Sequence, residues 1–174
     1  YVPEMDIRVS LSQSSSFHLA LKAWDLLSKQ HQPVNLSAAN AEDISKAISL
    51  SQDQEIRTFL MLLWLLAGRK GDIANLLHKN LTLDPHSGRL SAFIAEGKGV
   101  KARQGMYHVV THCPPQWRQE MQQFFNLPRQ SRYLFRKSLA TSAEVNTALR
   151  QANTTLSCRS VRRGAAQALA SDPN

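Results

Sequence analysis

The amino-acid sequence predicts a mainly helical domain with a small antiparallel β-sheet set into it. Three observations carry that expectation. Residues 56–67 form the most hydrophobic segment of the chain and read as a central core helix. Between Leu81 and Thr111 the texture changes. Short apolar runs are separated there by Asp84-Pro85-His86-Ser87-Gly88 and by Glu96-Gly97-Lys98-Gly99, a pattern of strands joined by turns. After Pro114 helical spacing returns, with Trp117, Met121, Phe124 and Phe125 on one face.

The individual elements follow in chain order. Residues 1–16 are polar and Ser-rich and read as a tail or linker. Phe17, Leu19, Ala20, Leu21, Trp24, Leu26 and Leu27 recur at near-helical spacing, which predicts an amphipathic helix ending near Gln30; Pro33 then breaks the chain. Ser37 is a candidate cap for a second helix carrying Ile44, Ala47, Ile48 and Leu50. The core helix is closed by Gly68, and residues 72–77 continue as a shorter helix. Strands are expected at 81–83, 90–95 and 106–111. Pro114 and Pro115 open a helix through Phe125. Thr141-Ser142-Ala143-Glu144 has the form of a capping box, and Ser157 is placed to cap a last helix running through Ala170.

Composition narrows the function classes. With 174 residues, 43% of them hydrophobic, the chain has enough apolar side chains for one real core and is not disordered throughout. Lys and Arg number 21 against 13 Asp and Glu, a formal net charge of +8, and the isoelectric point is near 9.9. That bias favours a polyanionic partner, nucleic acid first and an anionic membrane second. The run from Phe59 to Ala67 is too short to span a bilayer, which takes roughly 20 residues. Cys113 and Cys158 cannot build a disulfide framework, so a reducing, intracellular compartment is expected. No signal peptide is visible, and a chain starting at Tyr1 reads as a piece of a longer protein.

Three basic clusters stand out: Arg69 and Lys70 after the core helix, then Lys98, Lys101 and Arg103 at the turn between two strands, then Arg159, Arg162 and Arg163 on the last helix. Each alone is compatible with a solvated face; together they could converge on one phosphate. Arg69 follows a rigid element and presents a planar fork suited to two phosphate oxygens. Asp72, three residues on, is placed to orient that guanidinium, or simply to cap a helix. Lys98 between two glycines is either a cation at a loop tip where a ligand approaches closely or part of a plain hairpin. On the last helix Arg159 and Arg162 share a face and Arg163 points elsewhere. The small residues Gly164, Ala165, Ala166 and Ala168 would let that helix pack closely on a neighbour.

Other chemistries fit poorly. The phosphate-loop pattern Gly-x-x-x-x-Gly-Lys-Ser/Thr is absent. His108, His112 and Cys113 hint at a metal, but no second pair completes a tetrahedral site. No Ser/His/Asp nucleophile context is visible. No metal and no cofactor is expected.

With these residues in view, Leu66-Ala67-Gly68-Arg69-Lys70-Gly71-Asp72-Ile73-Ala74-Asn75-Leu76 resembles the first catalytic box of tyrosine recombinases and phage-type integrases. Glu96-Gly97-Lys98-Gly99-Val100-Lys101-Ala102-Arg103 resembles the family's segment with its catalytic Lys, which falls on Lys98. The stretch from Leu156 to Ala170 resembles the second box, His-x-x-Arg opening a helix, with its Arg on Arg162. The Arg162-Arg163-Gly164-Ala165-Ala166 wording resembles the eukaryotic retroelement and crypton branch more than Xer proteins. The resemblance covers residues 36–174. It implies the recombinase catalytic domain, with residues 1–35 the linker or end of a preceding DNA-binding domain.

The roles that this resemblance implies are specific. Arg69, Lys98, Arg159 and Arg162 would be catalytic and Asp72 orienting, while Lys70, Lys101, Arg103 and Arg163 would contact duplex DNA. The family's His falls on Arg159, and an arginine donates to phosphate but does not shuttle protons near neutral pH. The family's nucleophilic Tyr lies past the second box, whereas Tyr1, Tyr107 and Tyr133 all precede it, so the chain is expected to bind DNA without cutting it. The resemblance further implies a tetramer on DNA for the full-length protein, a monomer for this chain, and a nuclear location if the source is eukaryotic, otherwise a cytoplasmic one. The competing expectations are a domesticated, inactive DNA-binding or scaffold domain and a helical protein-interaction module with an incidental basic face.

Overall fold

The computed structural model describes residues 38–171. The helix expected near Phe17–Leu27 and the capping role expected of Ser37 lie outside them. The first described helix, α1 (Ala41–Leu50), is capped by Asn40 instead. The Asn40 side chain accepts from the Asp43 N–H at 2.8 Å, and the Asp43 carboxylate accepts from the Asn40 N–H at 3.2 Å. This reciprocal pair satisfies amides that the first turn leaves without helical partners. Ile44, Ala47 and Ile48 make its buried face.

The second helix, α2 (Gln54–Leu66), is buried on nearly every side. Asp53 caps it by accepting the Glu55 N–H at 2.9 Å. Phe59, Leu60, Leu62 and Leu63 are fully buried. A helix apolar on every side from Phe59 onward belongs at the centre, and α2 sits there. It is packed by α1, by α5 (Pro115–Phe125), by α7 (Glu144–Ala152), by α8 (Cys158–Ser171) and by the third strand. Phe135 closes one side of this core, its ring edge-on to Phe59 with centroids 5.0 Å apart. The helix ends at Ala67, which takes the left-handed conformation with φ 50. Gly68 is therefore not the left-handed residue. It is required for space instead, because a Cβ there would lie 2.8 Å from Ile73 Cδ1.

The short helix α3 (Lys70–Ala74) follows, two residues earlier than expected. Residues after Asn75 leave the helix because their backbone pairs with a distant segment: the Leu134 N–H donates to the Leu76 carbonyl at 2.9 Å and the His78 N–H to the Arg132 carbonyl at 2.9 Å. A three-residue 3₁₀ turn, His78–Asn80, leads into the sheet.

The sheet has three antiparallel strands in sequence order, β1 (Leu81–Leu83), β2 (Arg89–Ile94) and β3 (Tyr107–His112). Leu90, Ala92 and Ile94 face the core; Arg89 and Phe93 face outward. The β1–β2 hairpin turns at Gly88, whose φ of +80 suits glycine. Between β2 and β3 the sequence predicts a tight turn. The chain instead makes a sharp corner at Gly97 and then a short helix, α4 (Lys98–Arg103), closed by Gln104 in the left-handed conformation. Lys98 thus stands in the first turn of a helix rather than at a hairpin tip.

The expected capping box at Thr141–Glu144 is replaced by a looser arrangement. Thr141 ends the four-residue helix α6 (Ser138–Thr141), and the Ser142 hydroxyl accepts the Glu144 N–H at 3.4 Å before α7. Arg136 ties the preceding loop to both neighbours, pairing with Asp53 at 3.1 Å, Glu55 at 2.5 Å and Glu144 at 2.9 Å. For α8, Ser157 caps as expected, its hydroxyl accepting the Ser160 N–H at 3.3 Å. Gly164 lets the segment before α1 lie directly on this helix: a Cβ there would overlap the Ala39 carbonyl, and the Ala39 N–H donates to the Ser160 carbonyl at 3.0 Å. Close approach through Gly164 and Ala165 is what the small-residue run predicts, whereas Ala168 is exposed.

Candidate functional site

The elements that carry the three basic clusters converge. Arg69 precedes α3 at the end of the central helix, Lys98 begins α4, and Arg159 and Arg162 lie in the first turns of α8. All four line one open concavity of about 710 Å³. Lys70 and Arg163 line it as well, so six cationic side chains surround a single carboxylate, that of Asp72. Arg69, Lys98 and Arg159 are exposed and Arg162 is half-buried. Arg163 was expected to point away from this face. It is instead buried beside it, because α8 sits deep against α2 and turns that side of the helix inward.

Asp72 is buried on α3 and does not take the guanidinium that its spacing suggests. No hydrogen bond or ion pair joins it to Arg69 among the described residues. Its Oδ2 accepts a hydrogen bond from the Tyr107 hydroxyl at 3.3 Å, and its Oδ1 is buried without a hydrogen-bond partner. Gly97 crowds that second oxygen so closely that a Cβ would overlap it, and the Gly97 φ of +132 excludes ordinary side chains as well. Two residues that sequence patterns left without a role, Gly97 and Tyr107, therefore shape this corner. The strand alternation of β3 does carry a signal for Tyr107, since it falls on the inward side with Val109 and Thr111.

Electrostatics record the crowding. The half-burial of Arg162 and the Arg69 guanidinium nearby hold its pKa below the usual arginine value; Tyr107 and Asp72 act in the other direction. The Tyr107 phenol is pushed up to about 12, first by burial and then by the Asp72 carboxylate. Burial pushes the Cys158 thiol up to about 11 although Lys70 works against this, so a thiol lining the concavity stays protonated and is a poor nucleophile at neutral pH.

The remaining candidates are placed differently. Lys70 donates its ammonium to the Ser142 carbonyl at 2.7 Å, which holds α3 against the end of α6. Lys101 and Arg103 lie on α4 outside the concavity, and the Arg103 guanidinium stacks 4.5 Å over the Tyr107 ring. His108, His112 and Cys113 do not converge as ligands: the His108 ring is hydrogen-bonded to Ser91 at 2.6 Å and the His112 ring to Arg118 at 3.2 Å. Among the described residues no three His, Cys, Asp or Glu side chains are grouped to hold a metal ion.

The fold defines a class. A central apolar helix, a three-stranded antiparallel sheet and a terminal helix carrying paired arginines make a fold like the catalytic domain of tyrosine recombinases. Among solved structures the chain is similar to the crystal structure of XerA recombinase. The two share 15% sequence identity with a TM-score of 0.51, over 86% of this chain and 60% of that one. The likeness is one of fold, and the chain spans about 60% of that structure's length. No family model and no curated protein matches the sequence.

Two outcomes test this geometry. Gly97→Ala forces a side chain into a backbone region open almost only to glycine and against Asp72. It should cost on the order of 1–3 kcal/mol of stability, read as a lower urea midpoint. In an absorbance titration, one phenol should ionise near pH 12 and vanish in Tyr107→Phe. Because its folded-state pKa is raised, its contribution to stability is fully present below pH ~10 and is lost as pH rises toward 12.

Proposed function

We propose that this chain is the DNA-binding catalytic domain of a site-specific strand-exchange enzyme, and that the concavity takes one phosphate of duplex DNA. The observation that carries this reading is the convergence of Arg69, Lys98, Arg159 and Arg162, from three separate elements, on one pocket. Attack on a phosphodiester builds charge on the non-bridging oxygens. Guanidinium forks at Arg69 and Arg162, carried on backbone that the core holds in place, would meet that charge, and the positive end of α8 would add to them. Lys98 would protonate the leaving 5′-oxygen as a tyrosine oxygen forms the 3′-phosphotyrosyl bond. Arg159 would be a further phosphate contact. Lys101, Arg103, Lys70 and Arg163 would add long-range attraction to the duplex, with Lys70 and Arg163 acting from fixed positions.

The nucleophile in this reading is neither described tyrosine. The Tyr107 hydroxyl is committed to Asp72, and the Tyr133 hydroxyl donates to Glu96 at 3.1 Å. The full-length protein would act as a tetramer on DNA, and the wording around Gly164 favours the eukaryotic, transposable-element branch of the family, with integration as its biological setting and the nucleus as its location. One observation supports a second reading, a domesticated and catalytically silent DNA-binding domain. Arg159 stands where the family has its His, and it leaves the pocket with donors but no neutral proton carrier.

The 174-residue chain is expected to bind a short duplex with an affinity that falls steeply as salt rises from 50 to 200 mM. Arg69→Ala and Arg162→Ala should each weaken binding by about tenfold or more and flatten the salt slope. Absent or salt-insensitive binding would contradict the proposal. A covalent adduct of the full-length protein on a suicide duplex separates the enzyme from the silent domain.

A further inference from the structure

The spacing of Arg69 and Asp72 invites an ion pair that the structure does not contain. On adjoining helical positions a guanidinium and a carboxylate three residues apart are natural partners. A bidentate Arg69–Asp72 pair would occupy the very fork that a phosphate needs. What the structure has instead is the Tyr107 hydroxyl, 35 residues away in sequence, donating to Asp72 Oδ2 at 3.3 Å, with Gly97 packed against Oδ1. The carboxylate is thus buried, held at Oδ2 by the phenol and crowded at its unpartnered Oδ1 by Gly97, and Arg69 remains exposed at the rim.

The Tyr107 ring is itself fixed. It is half-buried, begins β3 opposite Ile94, and carries the Arg103 guanidinium 4.5 Å over its face. A phenol held this way delivers its hydroxyl to one place. We propose that Tyr107 is a positioning residue of the concavity: by holding Asp72, it keeps the carboxylate from pairing with Arg69 and leaves that fork available to a DNA phosphate. The inference rests on the phosphate reading of the concavity given above. Its physical content is a competition. Asp72 lends the pocket a charge that favours the nearby Arg162, and the tyrosine prevents the same charge from neutralising Arg69.

A double-mutant cycle on the 174-residue chain isolates that competition. Affinity for a short duplex is measured for the parent, Tyr107→Phe, Asp72→Asn and the double variant, with thermal melts alongside. Tyr107→Phe keeps the ring under Arg103 and removes only the hydroxyl. It should weaken binding by about three- to tenfold when Asp72 is present and have no effect when Asp72 is replaced by Asn. An equal loss in both backgrounds would mean a merely structural tyrosine and would overturn the proposal. So would unchanged affinity in Tyr107→Phe while Arg69→Ala weakens binding. Unchanged affinity in Arg69→Ala and Arg162→Ala would instead overturn the phosphate reading itself. Should Asp72→Asn not fold, the Arg69 Nε–H resonance decides. It should shift in Tyr107→Phe toward a carboxylate-paired position and respond less to added duplex; an unmoved resonance overturns the proposal.

Discussion

Like-charge crowding is the constraint around which this domain is built. Six cationic side chains share one open concavity with one carboxylate. Left to relax, such groups would spread into solvent, since cations on flexible stems prefer water and distance from one another. They are held because their backbones belong to elements that the core fixes. The end of α2 places Arg69, the corner at Gly97 places Lys98, and the packing of α8 on α2 places Arg159, Arg162 and Arg163. The lowered pKa of Arg162, caused by burial and by Arg69, is the signature of this confinement. In the phosphate reading proposed above, binding an anion in this concavity would relieve the repulsion that the fold imposes.

Asp72 is the counterweight. One buried carboxylate cannot neutralise six cations, and it makes no ion pair with Arg69, three residues before it in the sequence. Tyr107 and Gly97 hold it in the wall of the concavity, where its field reaches Arg162 and its oxygens do not reach Arg69. The same corner explains why the chain needs glycine at 97 and why the segment carrying Lys98 cannot be a free hairpin tip.

Much of this was legible in the amino-acid sequence, for identifiable reasons. The central helix shows itself because Phe59, Leu60, Leu62 and Leu63 leave it no polar side, and the cap at Ser157 because a hydroxyl three residues before the Ser160 amide is a local device. The convergence of Arg69, Lys98 and Arg162 was legible only through the order of three motifs; no spacing rule joins residues so far apart. Lys98 was misread because glycines on either side of it usually mark a turn, while α4 is short and depends on tertiary packing. Arg163 was misplaced because its burial follows from the depth at which α8 sits. Tyr107 had no role in the site on sequence grounds because its partner lies on another element. The first described helix is capped by Asn40, whose reciprocal bond with Asp43 is a local three-residue device of the same kind.

The most direct test of the account is a crystal structure of the chain with a short DNA duplex. The account predicts one backbone phosphate seated in the concavity, within hydrogen-bond distance of both Arg69 and Arg162, with the Tyr107 hydroxyl still on Asp72. A duplex lying on another face, or a concavity in which Arg69 has closed onto Asp72 while DNA is bound elsewhere, would contradict it.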